Sequence, residues 1–286
     1  MCSFLVLLCV SMFIGCAGEK TPDIQGDREV ENAYRYWEYW VMPDRDMVFY
    51  PEKAVSLLAL GQGDVVADVG AGAGYFTFPL ARAVGPAGRV YAVDIRWPYD
   101  LKNYFEERMS DRKANPYDNI TLVKNEVRDI TLPENSVDMA FFLLSAIFLF
   151  DPNDEALPYD LRSTFNDQRI FMKSVYKALK PGGRIAVIDL VDDPRQEEIS
   201  MPGGSAYGML VIARDLDIVK RNFESIGLRF VEEQDLYLSA EHGRQMGRFK
   251  DTDMYRMMSE KQRFFHGRYM FFFIFEKPAA SGDGDI

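Results

Sequence analysis

Beyond Cys16 the chain has no cysteine: the three it carries, Cys2, Cys9 and Cys16, stand in the first sixteen of 286 residues. The body therefore offers no disulfide, no thiolate nucleophile and no cysteine metal site. Histidine is as sparse, with His242 and His266 alone, and no G-x-S-x-G elbow occurs. A multi-histidine metal centre or a Ser-His-Asp hydrolase has little to be built from. Basic charge is in deficit, 33 Lys and Arg against 44 Asp and Glu, for a formal net charge of −11. Binding to phosphate backbones draws on Lys and Arg contacts that release counterions, so nucleic acid is set aside as a partner. No apolar run reaches the roughly 20 residues that span a bilayer as a helix, and no repeat period is present. What the chain does have is apolar bulk: 48% hydrophobic residues over this length suffice for one large domain with a core.

The ends differ from the middle. Phe4 to Gly15, FLVLLCVSMFIG, is continuously apolar and is followed after Gly18 by the polar, turn-rich EKTPDIQGD, a short hydrophobic region ahead of a processing site. FIGC resembles the lipobox of bacterial lipoproteins, which implies that residues 1–19 form a signal or anchor, that Cys16 carries the lipid, and that any membrane contact runs through the N-terminus. Met1, Cys2 and Ser3 depart from that pattern, carrying no Lys or Arg; an apolar extension of a cytoplasmic protein is the alternative. Residues 20–50 form an aromatic-rich extension, whose AYRYWEYWVMPDRDMVFYP (Ala33 to Pro51) either folds over a ligand or packs on the body. Residues 278–286 read as a flexible tail.

Between residues 51 and 277 helical periodicity alternates with short β-rich runs, the pattern of a doubly wound α/β sheet, mostly parallel and seven-stranded. PEKAVSLLAL opens with Pro and Glu and predicts a helix; DVVADVG is a first strand, YFTFPLARAVG a second helix, and GRVYAVDI a second strand ending at Asp94 and Ile95. Residues 99–112 read as helical. NITLVKN and the doubly apolar SVDMAFFLL follow as strands, then the helix DQRIFMKSVYKALK, the breaker PGG and the strand RIAVIDLV. A helix from about Arg214 to Gly227 precedes the last two strands, LRFVEEQDLYL and YMFFFIFEKP, which are separated by a polar, Met-bearing insert at 239–266.

The first strand runs into Asp68-x-Gly70-x-Gly72-x-Gly74 and then a helix. Glycines there let backbone N–H groups approach a ligand closely. The dinucleotide fingerprint G-x-G-x-x-G needs a third glycine at Tyr75, so an NAD-dependent oxidoreductase is disfavoured. The spacing resembles motif I of class I S-adenosylmethionine-dependent methyltransferases. The likeness continues in order along the chain, through an acidic residue closing strand two (Asp94), through NEVRDITLPENSVDMAFF after strand three, and through ALKPGGRIAVID into strand five. It implies S-adenosylmethionine as cofactor, held by Asp68, Gly70, Ala71, Gly72 and Gly74 around the amino acid moiety, by Asp94 on the ribose hydroxyls with Ile95 beside it, and by the Glu126, Val127 and Asp129 loop at adenine. Glu126 and Asp129 compete for the adenine amino group, and Glu126 is favoured because it follows the strand directly. Each residue also has a plain alternative, as a turn, a cap or a solvated charge. It is their joint position at the carboxyl ends of successive strands that speaks for a site.

Methyl transfer is an in-line displacement that needs alignment and exclusion of water, with a base only for a poorly nucleophilic or protonated acceptor. Asp189, Asp192, Tyr207 and His242 are candidates by position, and none is singled out. LLSAIFLFDPND lacks the Asn-Pro-Pro-Tyr and Pro-Cys sequences of base-modifying relatives. The expectation is thus transfer to a small-molecule or protein acceptor, with no metal. A membrane-anchored scaffold that keeps the fold without turnover is the second reading. It is sustained by the conflict between an exported lipoprotein and a cytoplasmic cofactor.

Overall fold

A computed structural model of the chain describes residues 43–95, 101–111, 113–145, 159–192, 216–249 and 268–279. Cys16 with the rest of the leading segment, Tyr207, residues 250–267 of the insert and the tail from Ala280 lie outside the described residues. Strands β1 (Val65–Val69), β2 (Arg89–Val93), β3 (Ile120–Val123), β4 (Val137–Leu143), β5 (Leu179–Asp192), β6 (Arg229–Glu233) and β7 (Arg268–Glu276) form one sheet. Its order is β3-β2-β1-β4-β5-β7-β6. Neighbours from β3 to β5 are parallel, and β7 runs antiparallel between β5 and β6. The helices are α1 (Asp46–Phe49), α2 (Pro51–Leu57), α3 (Thr77–Val84), α4 (Leu101–Ser110), α5 (Tyr159–Ala178), α6 (Leu216–Glu224) and α7 (Ala240–Phe249). Among the described residues no helix is long and apolar enough to cross a membrane.

The chain builds outward from β1 to β3 and then returns to place β4 on the other side of β1. That reversal leaves a crevice at the carboxyl ends of the strands, where open α/β sheets take ligands. Central strands have apolar residues on both faces because helices cover both: Met139 to Phe142 of β4 and Met270 to Phe275 of β7 are buried. Phe223 of α6 stacks on Phe275 with ring centroids 4.5 Å apart. The outer strand β6 exposes Arg229, Glu232 and Glu233, charges that discourage pairing with a further strand.

Three elements differ from the sequence expectation. The penultimate strand stops at Glu233, and Asp235–Tyr237 turns as a 3-10 helix that buries Leu236 and Tyr237 at the end of the sheet. Strand β5 begins five residues before Arg184, because the PGG turn ends α5 without leaving the sheet and only shifts the register between Val137 and Met139. The insert opens with a helix, α7, started where the Ser239 hydroxyl accepts the N–H of His242 at 3.1 Å.

At the amino ends of the strands Asp138 joins three of them. Its carboxylate accepts the Val65 N–H at 2.9 Å and the Lys180 ammonium at 2.8 Å. Asp138→Ala should lower unfolding stability by about 1 kcal/mol, the usual contribution of such a bond. Chemical denaturation checks this, and cofactor affinity, set at the opposite edge of the sheet, should not change.

Candidate cofactor and active site

Beyond Val69 the chain takes positive φ at Gly70 (76°), Gly72 (54°) and Gly74 (79°), conformations that cost side-chain-bearing residues roughly 1–2 kcal/mol. The turn is tied to the end of β2. The Val93 carbonyl accepts the N–H of Gly70 at 2.8 Å and of Ala71 at 3.1 Å, and Asp94 Oδ2 accepts that of Gly72 at 3.0 Å. The glycines do different things. A Cβ on Gly74 would lie 2.5 Å from Phe105 and 2.7 Å from Phe78, so this glycine lets two aromatic rings close on the backbone. A Cβ on Gly72 would meet nothing nearer than the Gly70 carbonyl at 3.9 Å. Gly72 thus faces the open space in which a ligand lying against the backbone would sit, and the turn fits the adenosyl cofactor in this respect.

Two carboxylates are buried beside the turn, Asp68 at 3% and Asp94 at 2% exposure. The hydroxyl of Thr77, first residue of α3, donates to Asp68 Oδ2 at 2.5 Å. Burial pushes the Asp68 carboxyl up to about 7; the Thr77 bond opposes that rise and the nearby Asp94 charge adds to it. A ligand bringing positive charge, as the ammonium and sulfonium of S-adenosylmethionine do, would relieve this pair. Ser145, just beyond β4, donates to the Val69 carbonyl at 2.8 Å and ties the chain after β4 to the end of β1. Sequence reading missed Thr77 and Ser145. Thr77 has a signal in retrospect, a hydroxyl nine residues from Asp68 at a helix start; Ser145 has none.

Ile95 is half-buried directly after Asp94, and Val127 is half-buried in the loop after β3. That loop is closed by the Glu126 N–H on the Asp129 carbonyl at 2.9 Å. The Asp129 carboxylate accepts the N–H of Thr131 at 2.7 Å and so serves its own turn. Glu126 is exposed beside it, as Asp129 is.

On the other side of the turn lies an aromatic layer. Tyr75 packs edge-on to Phe49 of α1 at 6.1 Å and donates to Asp46 Oδ1 at 2.5 Å. The buried Arg45 guanidinium lies 4.0 Å from the centre of the Tyr75 ring. Tyr237 donates to the Phe49 carbonyl at 2.7 Å, and His242 stands edge-on between Tyr50 and Tyr237 at 5.5 and 5.3 Å. Burial raises the Tyr75 and Tyr237 hydroxyls far above the usual phenol range and lowers the His242 imidazole to about 4. Of the other candidate bases, Asp189 is buried on β5 and Asp192 ends that strand.

Gly72→Ala should weaken S-adenosylmethionine binding at least tenfold in calorimetric titration while the protein still folds. Gly74→Ala should instead cost folding stability, because two rings stand in the way of the new methyl group. Asp68→Asn has a pH signature. The folded protein keeps a proton on Asp68 that the unfolded chain releases from its ordinary 3.8 upward, so stability falls as pH rises from about 4 to about 7 and is level above. The cofactor-free Asn variant should therefore gain stability over wild type as pH rises through that window, by about 1.4 kcal/mol per unit of displacement at most. It should bind S-adenosylmethionine more weakly at pH 8; denaturation at pH 4 and pH 8 and calorimetry check both.

The chain is similar to known proteins. Residues 60–205, just over half of the chain, match the family model described as a methyltransferase domain. An arsenite methyltransferase of Halobacterium salinarum is 26% identical over 175 residues, covering 61% of this chain and 39% of that protein. A demethylmenaquinone methyltransferase of a Geobacillus species is 24% identical over 161 residues, covering 56% and 60%. The chain thus spans well under two thirds of either relative's length. Among solved structures, a SAM-dependent methyltransferase from Aquifex aeolicus superposes with a TM-score of 0.54 at 21% identity, over 85% of this chain and 97% of that one. A geranyl diphosphate methyltransferase in complex with SAM gives 0.54 at 13%, over 80% and 84%, and both share the fold. With the glycine turn, Asp94 and the β3 loop all inside the matched span, the chain belongs to the methyltransferase domain family, in its class I, S-adenosylmethionine-dependent form.

Proposed function

We propose that the protein transfers the methyl group of S-adenosylmethionine to a hydroxylated, largely apolar ring of a small molecule. The observation that carries this reading is the layer of Phe49, Tyr50, Tyr75, Tyr237 and His242 beside the glycine turn, which would take a flat ring by edge and face contact. S-adenosylmethionine supplies an electrophilic methyl group. The glycine turn and Asp94 would hold its adenosyl part, Asp68 with Thr77 its charged tail, and the aromatic layer would orient the acceptor and keep water away.

Several relatives point to ring acceptors by name, being a demethylmenaquinone methyltransferase, a ubiquinone/menaquinone biosynthesis C-methyltransferase and a 2-phytyl-1,4-naphtoquinone methyltransferase at 24–28% identity. Arsenite is a weaker choice. Trivalent arsenic is a soft centre that suits thiolates, as soft metals do, and no cysteine follows Cys16. No observation at this site favours the scaffold reading, which keeps the fold and the cofactor without turnover. The lipobox-like segment at Cys16 would suit this acceptor class, because apolar rings concentrate at membrane surfaces.

The test is transfer of tritiated methyl from S-adenosylmethionine to 1,4-naphthalenediol, catechol, arsenite with glutathione, and a mixed protein substrate. Label should enter the hydroxylated rings. Label only in arsenite or protein would overturn the proposal.

A further inference from the structure

We propose that His242 is the proton acceptor for the hydroxyl of the methyl acceptor, held for that task between Tyr50 and Tyr237. This rests on the ring-acceptor reading above. His242 lies in the first turn of α7, its N–H fixed on the Ser239 hydroxyl, and it is 7% exposed. Nδ1 is buried with no hydrogen-bond partner among the described residues. Such an orphan is destabilising, and folded proteins rarely leave one without a reason. The neighbours do not supply the missing bond. Tyr237 has its hydroxyl proton on the Phe49 carbonyl, and both tyrosine rings meet the imidazole edge-on.

Other features point to a built position rather than a filled gap. Tyr50 takes the left-handed conformation, φ 44° and ψ 59°, that closes α1 and leads into α2, and its ring meets the imidazole from that turn. The layer stands at the carboxyl edge of the sheet: Tyr237 follows β6 and packs on Phe272, which pairs with Ile188 near the end of β5. Among the described residues the groups facing the imidazole are the Tyr50 and Tyr237 rings, with Arg45, Asp46 and Tyr75 further along the layer. Burial holds the ring neutral down to about pH 4. At neutral pH it has a lone pair to offer and no charge to repel the cationic sulfonium.

In the step, the acceptor's O–H proton passes to the imidazole as the ring carbon beside that oxygen forms the new C–C bond to the methyl carbon, and that carbon's own proton moves to the oxygen to restore the ring. The C–S bond breaks and its electrons stay on sulfur, leaving neutral S-adenosylhomocysteine. The imidazolium then returns its proton to water, to which burial drives it.

The experiment uses the full chain with 1,4-naphthalenediol and catechol. His242→Phe keeps the aromatic packing and His242→Gln keeps a polar side chain. Both should bind S-adenosylmethionine as wild type does, yet lose about 100-fold or more in kcat, the usual contribution of a general base. In His242→Ala, added imidazole should restore part of kcat without changing cofactor affinity. A readout without turnover guards against misfolded variants. With only two histidines in the chain, the His242 nitrogen resonances of 15N-labelled wild type should shift when naphthalenediol joins the S-adenosylhomocysteine complex. Wild-type kcat in a folded His242→Phe protein, or resonances that stay in place, would overturn the role. If wild type binds S-adenosylmethionine but methylates neither ring, the ring-acceptor reading itself fails and takes this one with it.

Discussion

The carbonyl of Val93 is where fold and site meet. It receives the N–H groups of both Gly70 and Ala71, and the next residue, Asp94, receives that of Gly72. The glycine turn is therefore positioned by the end of β2 rather than by its own sequence alone. That end is fixed by parallel register, Val69 against Val93 and Val93 against Val123. A slip of one residue would turn every side chain of β2 to the opposite face and withdraw both acceptors from the turn. The apolar packing of Val66, Val69, Val90 and Val93, all buried, thus sets the cradle's geometry through strand register.

The same neighbourhood holds an electrostatic burden. Two carboxylates below 4% exposure lie close enough that the charge of Asp94 adds to the rise at Asp68. Thr77 offsets part of it with one hydrogen bond, and the surrounding aromatic core supplies the stability that tolerates the rest. A site prepared in this way opposes the empty protein and favours a cationic ligand. Binding then relieves a strain the fold already carries, which is how preorganised sites gain affinity without large rearrangement.

Legibility followed the physics of each feature. Every strand of the sheet was readable in place, the inner ones because strands covered on both faces leave continuous apolar runs such as MAFFLL and the aromatic series before Lys277. The glycine turn was readable because φ above zero at three alternating positions leaves few residue choices. The helix α7 was hidden: its polar composition resembles a loop, and its capping serine precedes no apolar run. The 3-10 turn at Asp235–Tyr237 was hidden for the opposite reason, since apolar alternation continues from β6 although the chain has left the sheet. Thr77 and Ser145 act through contacts set by the fold, 9 and 76 residues along the chain from their partners, which no local pattern encodes.

The topology explains why the aromatic layer is assembled from distant segments. Because β7 is antiparallel to its two neighbours, β6 runs in the direction of β1 to β5 and ends at their carboxyl edge. The connection from Gln234 to β7 leaves the sheet at that edge and re-enters there, where Arg268 pairs with Asp192. Its described part, from Gln234 through α7, carries none of the register that holds the glycine turn in place. The chain before Pro51 meets it from the other side, through Tyr237 on the Phe49 carbonyl across 188 residues. Change in either segment alters the walls next to the cofactor without touching Val93 or Asp94. On the function proposed above, acceptor choice and cofactor binding are thereby separated in the chain and joined only at the edge of the sheet.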